Sequence, residues 1–258
     1  MSEAIRVQFE LRKIDEVSPW CTGQDRHLHW FGLTDGHYWI STPIGDALRY
    51  TEEVRRQWGC DSPYVDYQVA QIFENVQEVL PYALEPVPPD IAEIVSNPDW
   101  YAKGEAWHES LPEDSELSDT WYDALEWWWA RSFDTAYLVH GPSFQVWCVE
   151  DRITMRWDSR EEGESVWLLP EGECSLDINS FTSSCYAFLD SVIEQMQVRV
   201  NSIDQNGWPG KDCSLDVPLL IKEQRIRSAA IQTLRDRRPN TDWATVRERL
   251  AFLRQQFE

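Results

Sequence analysis

Two hydrophobic periods run along this chain, and their order constrains the fold more than any other feature. Over residues 136–158, "AYLVHGPSFQVWCVEDRITMRWD", apolar and polar residues alternate with the period of half-buried strands. Turns at Gly141-Pro142 and at residues 150–152 divide the run into three strands, and "SVWLLP" after the acidic turn "REEGE" is expected as a fourth. Such a meander needs one face covered, and three helical patterns follow to cover it. Phe181, Cys185, Phe188, Leu189, Val192, Met196, Val200 and Ile203 share one stripe of a helix over residues 180–203, capped by Asn179 or Ser180. A second helix is expected from about residue 215 to 237. A third starts at Thr241, with Trp243, Val246, Leu250, Leu253 and Phe257 inward; Pro239 and an Asn240/Thr241 cap separate the two.

The N-terminal part opens with "IRVQFELRK", whose Ile5, Val7, Phe9 and Leu11 mark a strand. The segment "LHWFGLTDGHYWI", residues 28–40, contains Asp35-Gly36, a strong hairpin-turn dipeptide. A two-residue loop there sets Leu33 opposite Tyr38 and Phe31 opposite Ile40 on one face, with Gly32 opposite Trp39 on the other. In that register His27 and His29 share a face that His37 does not, so the three rings cannot converge on one metal ion. The histidines are therefore expected to be structural. A short strand at residues 48–50 and a helical turn ending before Gly59 come next. Val65, Val69, Ile72, Phe73, Val76, Val79 and Leu80 predict a helix over residues 65–84, which Pro81 and "EPVPPD" end. Residues 86–118 are the least regular, with a short helix from Pro89-Asp90 to Val95 that Pro98 closes.

Charge is spread unevenly. The chain of 258 residues carries −22; residues 222–258 hold nine Lys/Arg against five Asp/Glu, or +4, which leaves −26 on residues 1–221. So negative a field repels phosphate backbones, which disfavours nucleic acid as a partner, and it attracts basic proteins. Between residues 104 and 130 stand Glu105, Glu109, Glu113, Asp114, Glu116, Asp119, Asp123 and Glu126 with no Lys or Arg among them. The same window holds Trp107, Trp121, Tyr122 and the run Trp127-Trp128-Trp129, all but Trp107 within "DTWYDALEWWWARSF", read as a helix capped by Ser118 or Asp119. Trp121, Leu125, Trp128 and Ser132 form its stripe, so Trp127 and Trp129 point elsewhere. Two readings stay open: an internal helix between lobes, or aromatics among acids presented to a basic partner. On the second, the eight acids with Trp127 and Trp129 are the partner-binding residues.

Chemical signatures are missing. The chain has no GxSxG elbow, HExxH, glycine-rich phosphate loop or dinucleotide fingerprint, so neither metal nor cofactor is expected. "RWDSRE", residues 156–161, reads either as a hairpin exit with surface ion pairs or as a polar site at a strand end. The six cysteines form no CxxC pair and are expected to be reduced thiols, Cys148 and Cys185 within the core. No secretory signal or membrane span is apparent, so a soluble, cytoplasmic protein is expected.

The blocks "FELRKIDEV-PW", "LHWFGLTDG-YWI", "LRY", "PYVDYQV", "RWDSR…VW" and "TDWATVRERL" resemble, in this order, an uncharacterised bacterial family of unknown function. The resemblance implies a layout and no activity. The layout is α+β: N-terminal strands and a hairpin followed by a helix, then an antiparallel β-meander packed by C-terminal helices. It divides into residues 1–100, a connecting segment 101–134 and residues 135–258, as lobes or as one continuous domain. In composition such a chain is similar to immunity proteins, acidic and aromatic-rich binders that neutralise a cognate, often basic, toxin. The alternative is an enzyme or small-molecule sensor with a site between hairpin and meander, where His29, Asp66 and Asp158 are the candidate polar groups.

Overall fold

The alternation at the N terminus becomes β1 (Arg6–Leu11). The chain then forms β2 (Trp20–Thr22) and β3 (Asp25–Leu28), passes a 3-10 turn at Gly32–Thr34, and enters β4 (Asp35–Thr42). After β5 (Gly45–Ala47) and α1 (Glu52–Trp58), β6 (Val65–Gln68) leads directly into α2 (Val69–Leu84). Three helices occupy the middle: α3 (Pro89–Val95), α4 (Pro98–Glu109) and α5 (Glu116–Trp129). The meander is β7 (Ser132–Phe133), β8 (Ser143–Val149), β9 (Arg152–Asp158) and β10 (Glu171–Asp177), each antiparallel to the next. The chain ends with α6 (Ile178–Asn206), β11 (Ser214–Leu215), α7 (Val217–Asp236) and α8 (Trp243–Phe257). This α+β arrangement is that of a computed structural model, which describes residues 5–22, 25–112, 115–159, 165–209 and 213–257.

Asp35-Gly36 is not a hairpin turn. Both residues lie in β4, the central strand of the N-terminal sheet, where Gly36 pairs with Leu11 of β1 on one side and Tyr67 of β6 on the other. A methyl group on Gly36 would stand 2.3 Å from the Glu10 carbonyl oxygen, so glycine serves the close approach of β1 rather than a reversal. The hairpin of this sheet is β4–β5, closed between Thr42 and Gly45. The chain enters β4 through the 3-10 turn, whose buried Thr34 accepts a bond from Ala70 N at 2.9 Å and so caps α2 from outside that helix. The fourth meander strand also moves: β10 replaces "SVWLLP", of which Trp167 makes only an isolated bridge to Tyr50. The turn "REEGE" lies outside the described residues.

The main core lies between α2 and α6 and the inner faces of both large sheets. It joins Tyr38 and Ile40 of β4 to Phe144, Val146 and Cys148 of β8 and to Phe181, Leu189 and Met196 of α6. Its polar members are bonded. The Trp30 indole donates to Gln224 Oε1 at 2.6 Å, and Gln224 donates in turn to the Ile193 carbonyl, which ties α7 to the segment before β4. A second core fills the opposite face of the meander. There Trp147 of β8 packs with Ile91, Trp100, Trp121, Leu125 and Trp128 from α3–α5 and with Val246, Leu250 and Leu253 from α8. The C-terminal helices thus divide: α6 covers the inner face, and α8 crosses to the outer one. Both faces of the meander are covered at β8, while Glu171, Glu173, Ser175 and Asp177 leave the outer face of β10 exposed.

Candidate functional site

The layer formed by α3, α4, α5 and α8 has an inner side against the meander and an outer side toward solvent, and each carries a different chemistry. Asn97 caps α4 by accepting from Asp99 N at 3.0 Å, and Ser115 caps α5 by accepting from Leu117 N. On α5 the apolar stripe is wider than its spacing predicts. Trp121, Ala124, Leu125, Trp127 and Trp128 are all buried. Trp127 packs edge-on against Trp243 and donates its indole N–H to the Ala124 carbonyl at 2.8 Å. Trp129 is half-buried, with its N–H on Tyr101 Oη at 3.2 Å. The rings therefore belong mainly to the inner side.

The outer side is acidic. Glu116, Asp119, Asp123 and Glu126 are exposed along one face of α5, and Glu109 is exposed near the end of α4. Glu105 is half-buried, and Glu113 and Asp114 lie outside the described residues. At the centre of the α5 row stands Tyr122, 53% exposed, with the His108 ring edge-on at 5.1 Å. Like charges three and four residues apart each cost a helix about 0.2–0.5 kcal/mol, and this row contains three such pairs in succession. Only Glu116 and Asp119 recover part of that from the helix dipole. Part of the acidity is met internally. Arg249 of α8 bonds the Asp123 carbonyl at 2.7 Å and its carboxylate at 3.2 Å, and Arg247 clasps Asp90 at 2.7 and 3.0 Å. Arg227–Glu74 and Arg235–Asp190 repeat the pattern, so the basic C-terminal segment is bound back onto the acidic remainder.

A buried ion pair fastens this layer to α2. Arg131, 0% exposed, donates to Glu85 Oε2 at 2.8 Å and to the Trp127 carbonyl, while its guanidinium lies 5.2 Å from the Trp127 ring and 5.5 Å from that of Trp243. Glu85 also accepts from the Thr241 amide and hydroxyl at 2.7 and 2.6 Å.

Between the inner side and the meander is a cleft of about 370 Å³. Tyr101, Trp128 and Trp129 wall it, and Ser132, Ser143, Gln145, Arg156 and Asp158 form its floor, with Glu105 at the α4 side. It lies beneath α4 and α5, not between the N-terminal hairpin and the meander. The three polar candidates do not meet. His29 packs against Trp20 at 4.6 Å and burial lowers its pKa; Asp66 bonds Arg12 at 2.5 Å and stands 4.0 Å from His37 Nδ1; Asp158 alone lines the cleft. Among the described residues no three His, Cys, Asp or Glu are grouped as for a metal ion, and Cys60, Cys148, Cys174, Cys185 and Cys213 are outside any disulfide. No helix of the described residues is long and apolar enough to cross a membrane. Of "RWDSRE", which the sequence flagged as polar, Arg156 and Asp158 line the cleft, and Arg160 and Glu161 lie outside the described residues; Gln145, Ser132 and Tyr101 join them through long-range pairing that no local pattern announces.

No curated protein and no solved structure matches the chain. A family model does match, over residues 6–249, and the chain accordingly belongs to DUF5984, a family of unknown function.

Proposed function

We propose that the chain is an interaction protein whose α5 outer face takes a basic protein partner, in the manner of an immunity protein that neutralises a toxin. The observation that carries the reading is Tyr122, exposed in the middle of Glu116, Asp119, Asp123 and Glu126. An exposed aromatic flanked along the helix by four carboxylates, of which Asp123 is shared with Arg249, combines the two properties of a steered interface. The helix bears the cost of that row of like charges, as expected where a surface serves binding rather than stability. A net charge of −22 speeds encounter with a cation-rich surface and repels nucleic acid.

The test is photo-crosslinking in the native cell with benzoylphenylalanine in place of Tyr122, and separately in place of Ile226, which is 58% exposed on the basic segment of the chain. A basic protein joined through position 122 and not through 226 supports the reading. Identical products from both positions, or none from 122, would refute it.

A further inference from the structure

The N-terminal sheet ends at a strand with one side open. Among the described residues β1 has β4 as its one strand neighbour. The register tells which backbone groups face away from β4. Leu11 is opposite Gly36, so Arg12 is opposite Asp35, and the Arg12 N–H donates to the Asp35 carbonyl at 2.9 Å. Bonded and non-bonded pairs alternate along an antiparallel ladder, so Arg6, Gln8 and Glu10 bond β4 while Val7, Phe9 and Leu11 turn their N–H and C=O groups outward. Ile5 has the outward parity, and its carbonyl accepts from Ser184 Oγ of α6 at 2.6 Å.

A groove of about 620 Å³ runs along this edge. Val7 and Phe9 line one side, and Ser183, Ser184, Ala187 and Ser191 of α6 line the other. The small, uncharged side chains of the α6 wall leave room for a further strand without selecting one. The selection comes from β1. Phe9 packs inward, edge-on to Phe188 at 5.6 Å, so the alternate residues Arg6, Gln8 and Glu10 share the outer face of the sheet. Arg6 and Glu10 are exposed, and neither is in an ion pair among the described residues. They stand symmetrically about Gln8 with opposite charges. Like charges along an edge would repel a reversed copy of it; this edge is complementary to its own reverse.

We infer that β1 pairs antiparallel with β1 of a second copy of this chain, about a two-fold axis through Gln8, and so joins two N-terminal sheets into one. In that register Arg6 of each copy is opposite Glu10 of the other, and Gln8 is opposite Gln8. Val7 and Phe9 then exchange backbone bonds across the axis, which uses the groups that β4 leaves open. A slip of two residues would set Arg6 against Arg12 instead. The inference shares no residue with the α5 outer face and is independent of the partner proposal.

The test is sedimentation velocity of the intact chain at about 0.15 M salt, where a screening length of about 8 Å limits repulsion between two acidic copies. The wild type should be dimeric at about 100 μM. Arg6→Glu and Glu10→Lys, each checked for folding by circular dichroism, should each weaken the dimer about tenfold or more, because like charges then face each other. One variant has an all-negative edge and the other an all-positive one, so their equimolar mixture should dimerise again. Gln8→Cys should link two copies by a disulfide on mild oxidation, since Cα atoms of a non-bonded pair are about 4.5 Å apart. Lys13→Cys, exposed but beyond the strand, should not. A wild-type monomer, a dimer that neither charge variant weakens, a mixture that stays monomeric, or Lys13→Cys linking as readily as Gln8→Cys would each overturn the inference.

Discussion

Glu85→Ala is the most severe single substitution that the structure points to. Among the described residues its carboxylate is the one acidic partner bonded to Arg131, which is 0% exposed, and it also accepts two bonds from Thr241 at the entry to α8. Removing one member of a buried ion pair costs about 3–5 kcal/mol, because the surviving charge keeps its desolvation penalty and loses its compensation. A chain of this size loses about 2–4 °C of Tm per kcal/mol, so the melting point should fall by about 6–20 °C. The rings of Trp127 and Trp243 on either side of the guanidinium soften the loss without cancelling it. The double variant Glu85→Leu/Arg131→Met should recover most of the stability, since apolar replacement of a whole buried pair is often neutral. Urea unfolding followed by tryptophan emission measures both. A loss below about 1 kcal/mol for Glu85→Ala, typical of an exposed pair, would refute the reasoning. So would a double variant no more stable than the single one.

Three further outcomes are expected. Gly36→Ala should cost about 3 kcal/mol, the upper end for overpacking, because its methyl meets β1 backbone; Gly104→Ala, whose methyl meets the Trp121 ring at 2.4 Å, should cost about 1–3 kcal/mol by the same urea assay. Bonds from Arg247 hold Asp90, and those from Thr245 hold Asp242, below the usual carboxylate range. A lowered folded-state pKa stabilises above the unfolded value near about 4 and is lost as pH falls through the folded one, so amide exchange in α8 should rise on acidification before that in α6. Equal exchange onset in the two helices would contradict this. Burial pushes the Cys185 thiol up to about 12 and that of Cys174 to about 11, so neither should react with Ellman's reagent at pH 8 until the chain unfolds.

The sequence is most legible where one period runs long. The stripe of α6, the inward residues of α8 and the alternation of β8 and β9 are present as read, because each buries one face against a continuous core. Short elements governed by distant neighbours read worse. Asp35-Gly36 has the chemistry of a turn, yet β1 and β6 claim both edges of the strand that contains it. Val65 fits a helical stripe, but residues 65–68 pair with β4 before α2 begins. The helix α4 buries only Trp100 and Gly104, too little for an apolar stripe, although Asn97-Pro98 is a start signal that marks it. β10 shows only Cys174 and Leu176 among acids, a faint alternation beside "SVWLLP". In the candidate site the acids of α5 are on the surface, but Trp127 is turned inward and Tyr122 takes its place outside. Helical periodicity places Trp127 off the main stripe; it could not anticipate that α8 would supply a second covering surface through Trp243.

The claim that the α5 outer face binds a basic protein is tested most directly by salt-graded capture with a charge-reversed control. Wild-type chain and the Asp119→Lys/Glu126→Lys variant are each immobilised and exposed to native lysate at low salt and at about 0.5 M, where the screening length falls to a few Å. Reversal relieves like-charge pairs on the helix, so the variant should fold at least as stably. The account predicts one basic protein retained by the wild type at low salt, weakened at high salt and lost by the variant. Equal retention by the variant, or no basic protein at low salt, would contradict it.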